Sequence, residues 1–171
     1  MDYKYYEQKI NDVIIKCPIE TGVEILVYNL LDGCIGMEKY ALIDINRIWK
    51  KQNSMLSTEG GVSDIAIVSR DFVFKRSDGE NVGEVYGFVE VKAAGVSLRD
   101  TEQIMGQMKK APHFIYTNGI VWKYYFKQKL EWDINVVETD KSCSNNEVEI
   151  NHTEFERLKE NISLIKWKEN I

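Results

Sequence analysis

The stretch Gly87 to Gly95, GFVEVKAAG, places a carboxylate and an amine two residues apart inside an otherwise apolar, strand-like run. Side chains alternate across a strand, so Phe88, Glu90 and Lys92 share one face while Val89, Val91 and Ala93 share the other. A second charge lies upstream in GGVSDIAIVS, where Asp64, Ala66 and Val68 alternate with Ile65 and Ile67. On a half-covered antiparallel strand such charges are simply solvated, the ordinary meaning of alternation. If buried, they need partners or a metal. Two carboxylates and a lysine on adjoining strand faces point to a metal-dependent hydrolytic site.

The chain of 171 residues is long enough to bury a proper core as one domain, and its 44% hydrophobic content is ordinary for a globular protein. Cys17, Cys34 and Cys143 are odd in number and widely spaced, and they form no zinc pattern with His113 and His152. A disulfide framework is not expected, which favours a reducing compartment. The N-terminus MDYKYYEQKINDVIIK lacks the apolar region of a signal peptide, and no run of about 18 apolar residues could span a membrane. The expected location is therefore cytoplasmic.

A formal charge of −5 argues at first against a nucleic-acid partner. Its distribution softens that argument. From Glu131 onward there are 10 acidic and 5 basic residues, whereas residues 1 to 130 hold 17 of each and are neutral. The acidic excess belongs to the C-terminal extension, 131–171.

Along the chain, Asn11 to Lys16 begins an apolar approach to Pro18, which suits the first turn of a helix running to about Asp32 and stopped by Gly33. Val23, Leu26, Val27, Leu30 and Leu31 form its expected buried face. Ala41 to Trp49 alternates as a strand, and Lys50 to Gly61 reads as a loop. Asp64 to Ser69 and Phe72 to Lys75 follow as strand material, with a turn at Ser77 to Asn81 before the strand Glu84 to Ala93. Leu98 to Lys110 is an expected helix, capped by Ser97 or Asp100 and closed before Pro112. Phe114 to Thr117 and Ile120 to Phe126 read as strands joined by an Asn118-Gly119 hairpin turn. Leu130 to Glu138 adds an edge strand and Asp140 to Asn146 a polar loop. A final amphipathic helix, Thr153 to Lys166, is capped by Thr153 and turns Phe155, Leu158, Ile162 and Ile165 inward.

The order of an acid on the first helix, Asp64 at a hairpin strand and then Glu90-Val91-Lys92 resembles the PD-(D/E)XK nucleases. Downstream, the helix bearing Gln103 and Gln107 and the segment FIYTNGIVWKYY are similar to the N-terminal nuclease domain of type I restriction enzyme motor subunits. The likeness spans roughly Pro18 to Phe126. Ser63 stands where the family name has proline, and 26 residues separate Asp64 from Glu90, a generous spacing that the Ser77 to Asn81 insertion accounts for. The resemblance implies an α/β restriction-endonuclease-like core, a central mixed β-sheet flanked by helices in the order αβββαβ, with an extra C-terminal strand and helix. It also implies a Mg2+- or Mn2+-dependent endonuclease acting on DNA.

Phosphodiester hydrolysis needs an activated water, stabilisation of developing charge and protonation of the leaving oxygen, and hard cations serve all three. Asp64, Glu90 and the Val91 backbone carbonyl form a plausible partial shell, which requires the two carboxylates to come within about 5 Å of each other. Lys92 could orient the attacking water or stabilise the phosphorane charge. Glu20 and Glu24 lie one turn apart, and the run ending at Gly33 resembles the acid-bearing helix of archaeal Holliday-junction resolvases, which favours Glu24. Gln103 or Gln107 could touch phosphate or hold Lys92; as catalytic candidate Gln107 is taken with Glu24, Asp64, Glu90 and Lys92. Tyr116, Asn118, Trp122, Tyr124 and Tyr125 could stack on unpaired bases or be strand core. Lys109, Lys110, Lys123, Lys127 and Lys129, around this hairpin and the preceding helix end, form the best candidate phosphate-contacting patch, with Lys109, Lys110 and Lys123 taken as its binding residues.

Two alternatives share these residues, and a second copy of the chain is a further expected partner. An acidic extension suits a non-catalytic module of the same fold, such as a phage or mobile-element protein that binds a partner of a host defence system. RNA cleavage uses the same groups as DNA cleavage. A homodimer could cut two strands, with the apolar face of the C-terminal helix as interface.

Overall fold

Six strands hydrogen-bond in sequence order, and the computed structural model that carries them describes residues 1–48, 54–75, 82–138 and 147–168. They are β1 Tyr40–Asp44, β2 Ile65–Ser69, β3 Val85–Val91, β4 His113–Thr117, β5 Val121–Phe126 and β6 Lys129–Asn135. Every neighbouring pair is antiparallel except β3 and β4. That parallel pair requires a crossover, supplied by the helix α3, Glu102–Met108. Three further helices are α1 Tyr3–Lys16, α2 Glu20–Cys34 and α4 His152–Leu164.

The alternation read in the strands separates two cores. Ile65, Ile67, Val89 and Val91 pack with residues of α1, α2 and α4, whereas Ala66, Val68, Phe88 and Phe114 pack with Ile104 and Met108 of α3. Helices on both faces make this an α/β architecture of the restriction-endonuclease-like kind, with the αβββαβ order in α2-β1-β2-β3-α3-β4, followed by two strands and a helix where one strand and one helix are expected. Val23, Leu26, Val27, Leu30 and Leu31 are all buried on α2 as expected.

Several local expectations are corrected. The N-terminal segment is a full helix: Asp2 accepts from the Tyr5 amide at 3.0 Å, and Cys17 leaves helical geometry just before Pro18, where the proline ring disfavours the α region. The next helix starts at Glu20 with no side-chain cap on Ile19. The first strand ends at Asp44, whose carboxylate accepts the Asn46 amide at 3.1 Å and bends the chain away. Among the described residues, Phe72 to Lys75 forms no strand and contributes one bridge, Val73 to Val82.

Neither Ser97 nor Asp100 caps α3. Thr101 does, and Asp100 instead accepts from the Tyr125 hydroxyl at 3.1 Å. The final helix is capped by Asn151 rather than Thr153. Its apolar face cannot serve as a dimer interface, since Phe155, Leu158 and Ile162 are buried in the chain's own core. The Ser77 to Asn81 turn, the 140–146 loop and Cys143 lie outside the described residues. No described helix is long and apolar enough to cross a membrane.

The Asn118-Gly119 hairpin forms as read. Gly119 adopts φ 81°, and the Asn118 side-chain oxygen accepts from the Ile120 and Val121 amides at 2.9 and 2.8 Å. The Tyr6 hydroxyl of α1 donates to the Gly119 carbonyl at 2.6 Å, so the first helix clamps this turn.

Candidate active site

The functional candidates gather at one end of the sheet, where β1 ends, β2 begins and β3 and β4 end. Asp64 stands just before β2, held by its backbone as well as its side chain. Its amide donates to the Val89 carbonyl at 3.1 Å, and its Oδ2 accepts from the Val91 amide at 2.7 Å. Val91 therefore meets Asp64 through its N–H.

Glu20 and Glu24 project from the first turns of α2 toward the same place. One carboxylate oxygen each from Glu20, Glu24 and Asp64 lies within 4.8 Å of the others. Both helix acids join Asp64, so the choice between them dissolves. Asn46, just past β1, donates to both Glu24 oxygens at 3.0 Å. This residue was not among the sequence candidates, because its partner lies 22 positions away and nothing local marks the pairing.

Glu90 stands beside this trio with its oxygens occupied. Lys92 approaches Oε1 at 2.6 Å, Gln103 donates to the same oxygen at 3.3 Å, and Gln107 donates to Oε2 at 2.8 Å. Both glutamines thus face Glu90, the buried Gln107 more closely. Lys92 also lies 4.0 Å from Glu20, which links the Glu90 group to the acidic trio.

The close fit of α3 over Glu90 depends on Gly60. A Cβ there would overlap the Gln103 carbonyl oxygen and lie 2.9 Å from the Gln107 amide nitrogen. The glycine pair read as the end of a loop is thus the surface on which α3 rests.

Burial resists ionisation of three of these carboxylates, Asp64, Glu24 and Glu90. Burial, reinforced by the charge of Glu90, pushes the Asp64 carboxyl up to about 8 against the pull of the Val91 amide. Burial also raises Glu24 and Glu90. Burial alone would lower Lys92, but the Glu90 hydrogen bond and charge outweigh it and raise the amine instead. Lys92 is therefore held in its charged form.

The remaining candidates fall elsewhere. Tyr116 is 3% and Asn118 is 6% exposed, so neither offers a stacking ring or a free amide to a ligand. They point at the loop between β3 and α3: the Tyr116 hydroxyl donates to the Arg99 carbonyl at 3.4 Å and the Asn118 amide to the Val96 carbonyl at 2.8 Å. Trp122, Tyr124 and Tyr125 are core. Lys123 reaches the Leu98 carbonyl at 3.4 Å, Lys109 pairs with Glu59 at 3.2 Å, and Lys110 is exposed.

The donor set fits a hard cation. Three carboxylates converge on one small space in a partly buried setting where unneutralised charge is costly, and oxygen ligands of this type suit Mg2+ or Mn2+.

Neither a protein-family model nor a curated protein matches this sequence. Among solved structures, the chain is similar to one in the cryo-EM structure of a DrdV–DNA complex, with a TM-score of 0.54 and 9% identity over 95% of this chain. The chain spans 14% of the length of that neighbour. At this identity the likeness is one of fold: a mixed six-stranded sheet with flanking helices, consistent with the restriction-endonuclease-like core.

Proposed function

We propose that the chain is a metal-dependent endonuclease that hydrolyses phosphodiester bonds in DNA with Mg2+ or Mn2+. The observation that carries this reading is the convergence of Glu20, Glu24 and Asp64 beside a charged Lys92 at one end of the sheet. Its structural neighbour is a DNA complex, which agrees with DNA as the substrate.

Asp64, Glu20 and Glu24 would hold the cation, and Asn46 fixes the Glu24 carboxylate toward it. Bound there, the cation would polarise the phosphoryl group and lower the pKa of a coordinated water. Glu90 and the Val91 carbonyl would join the shell once Lys92 turns from Glu90 to the substrate. Lys92, being held protonated, serves as a cation for the developing phosphorane charge and not as the base that activates water. Gln107 and Gln103 keep Glu90, and through it Lys92, in register.

The test is incubation of the protein with plasmid, linear duplex, single-stranded DNA and RNA in magnesium, manganese or EDTA, beside Asp64→Ala and Lys92→Ala. Metal-dependent DNA cleavage lost in both variants supports the reading. Cleavage of RNA alone moves the substrate, and no cleavage of any of them sinks the enzyme.

A further inference from the structure

Two arginines stand on opposite sides of the acidic site, and neither neutralises it. Arg47 follows Asn46 in the turn after β1, two residues beyond Ile45, whose amide donates to the Asp64 carbonyl at 2.9 Å. Arg99 sits in the loop between β3 and α3. Both are exposed, and among the described residues neither side chain has a carboxylate partner.

The Arg99 loop is fixed in place by the hairpin that crosses beneath it. Asn118 holds the Val96 carbonyl, Lys123 the Leu98 carbonyl, Tyr116 the Arg99 carbonyl, and Tyr125 the Asp100 carboxylate. Tyr116 is the register partner of Glu90 across the parallel pair, so the Arg99 backbone lies about one tyrosine's reach from the Glu90 and Lys92 side of the site. Four polar tethers order a short exposed loop whose end carries an unpaired cation. A loop ordered in advance loses less freedom when it binds.

At this end of the sheet the order is Arg47 beyond β1, Asp64 at β2, Glu90 and Lys92 at β3, then the Arg99 loop over β4 and β5. The strand order thus sets the two arginine-bearing segments on either side of the carboxylates. Lys92 and a bound cation would act at the scissile phosphate itself, so seating the phosphates on either side of it calls for further cations beside the carboxylates.

We propose that Arg47 and Arg99 are phosphate contacts that seat the DNA backbone on either side of the scissile bond. Tyr116, Asn118 and Lys123 act as positioning residues for the Arg99 loop and do not touch the nucleic acid. The proposal rests on the DNA reading above, and its test separates the two.

Binding of a short fluorescein-labelled DNA duplex of mixed sequence is followed by anisotropy over a range of KCl concentrations, with calcium replacing magnesium. Each of Arg47→Gln and Arg99→Gln should weaken binding and reduce the salt slope, log Kobs against log [KCl], by about 0.9, and the double variant by about 1.8. Arg99→Lys should restore the slope. Lys129→Gln, at the opposite end of the sheet and 82% exposed, should leave it unchanged. If the unaltered protein binds and both arginine variants keep its slope, the proposal is overturned and the DNA reading stands. If the unaltered protein binds no DNA, both fall together.

Discussion

The Val91 amide donates to Asp64 Oδ2 across 2.7 Å, which joins the end of one strand to the carboxylate that opens its neighbour. This bond favours the ionised form of Asp64, yet burial and the Glu90 charge prevail and the carboxyl rises to about 8. An acid whose folded pKa lies above its unfolded value stabilises the fold when protonated, and that contribution is lost as pH rises toward the folded value. Without divalent metal, stability should therefore fall between about pH 4 and about pH 8, by up to about 1.4 kcal/mol per pH unit for one proton. Urea unfolding across this range should show the decline, and Asp64→Asn should flatten it. Magnesium should stabilise more at the upper end, because binding displaces the Asp64 proton.

Both side-chain hydrogen bonds of Asn46 go to Glu24 from an exposed turn, so removing the side chain should spare the fold. Asn46→Ala should weaken Mn2+ binding by about tenfold, as loss of a ligand's supporting partner does. Calorimetric titration, alongside an unchanged melting curve, checks this.

Gln107 is fully buried and donates to a carboxylate that is itself almost fully buried. Gln107→Leu should destabilise the protein by about 2 kcal/mol, the range for a hydrogen bond to a charged group. A double-mutant cycle with Glu90→Gln assigns the loss: a coupling energy near zero would contradict the pairing.

At Gly60 a methyl group has no room against the α3 backbone. Gly60→Ala should cost about 2 kcal/mol in urea unfolding, the scale of forced overpacking. It should also lower nuclease activity, because α3 carries both glutamines that hold Glu90.

Where a residue's role follows from periodicity, the sequence already shows it. The split of Ile65 and Ile67 from Ala66 and Val68 into two cores follows from strand alternation, and Glu20 with Glu24 on one helical face follows from the turn of the helix. The hairpin at Asn118-Gly119 is written in its turn residues. α1 carries a helical stripe, Tyr3, Tyr6, Ile10, Val13 and Ile14, that packs against the core and that a reading begun only at Asn11 passes over. Other features depend on partners far away in sequence. Asp100 looks like a cap until Tyr125 takes its carboxylate, and Asn46 acquires meaning only beside Glu24. The same distance effect turned Tyr116 and Asn118 from expected DNA contacts into supports for a loop.

The most direct test of the central claim is the rate at which the purified protein nicks supercoiled plasmid as a function of magnesium concentration, measured beside Asp64→Asn. The account predicts a rate that rises to saturation with magnesium, vanishes in EDTA, and drops by at least about a hundredfold in the variant. A variant that nicks as fast as the unaltered protein, or nicking that persists in EDTA, would contradict it.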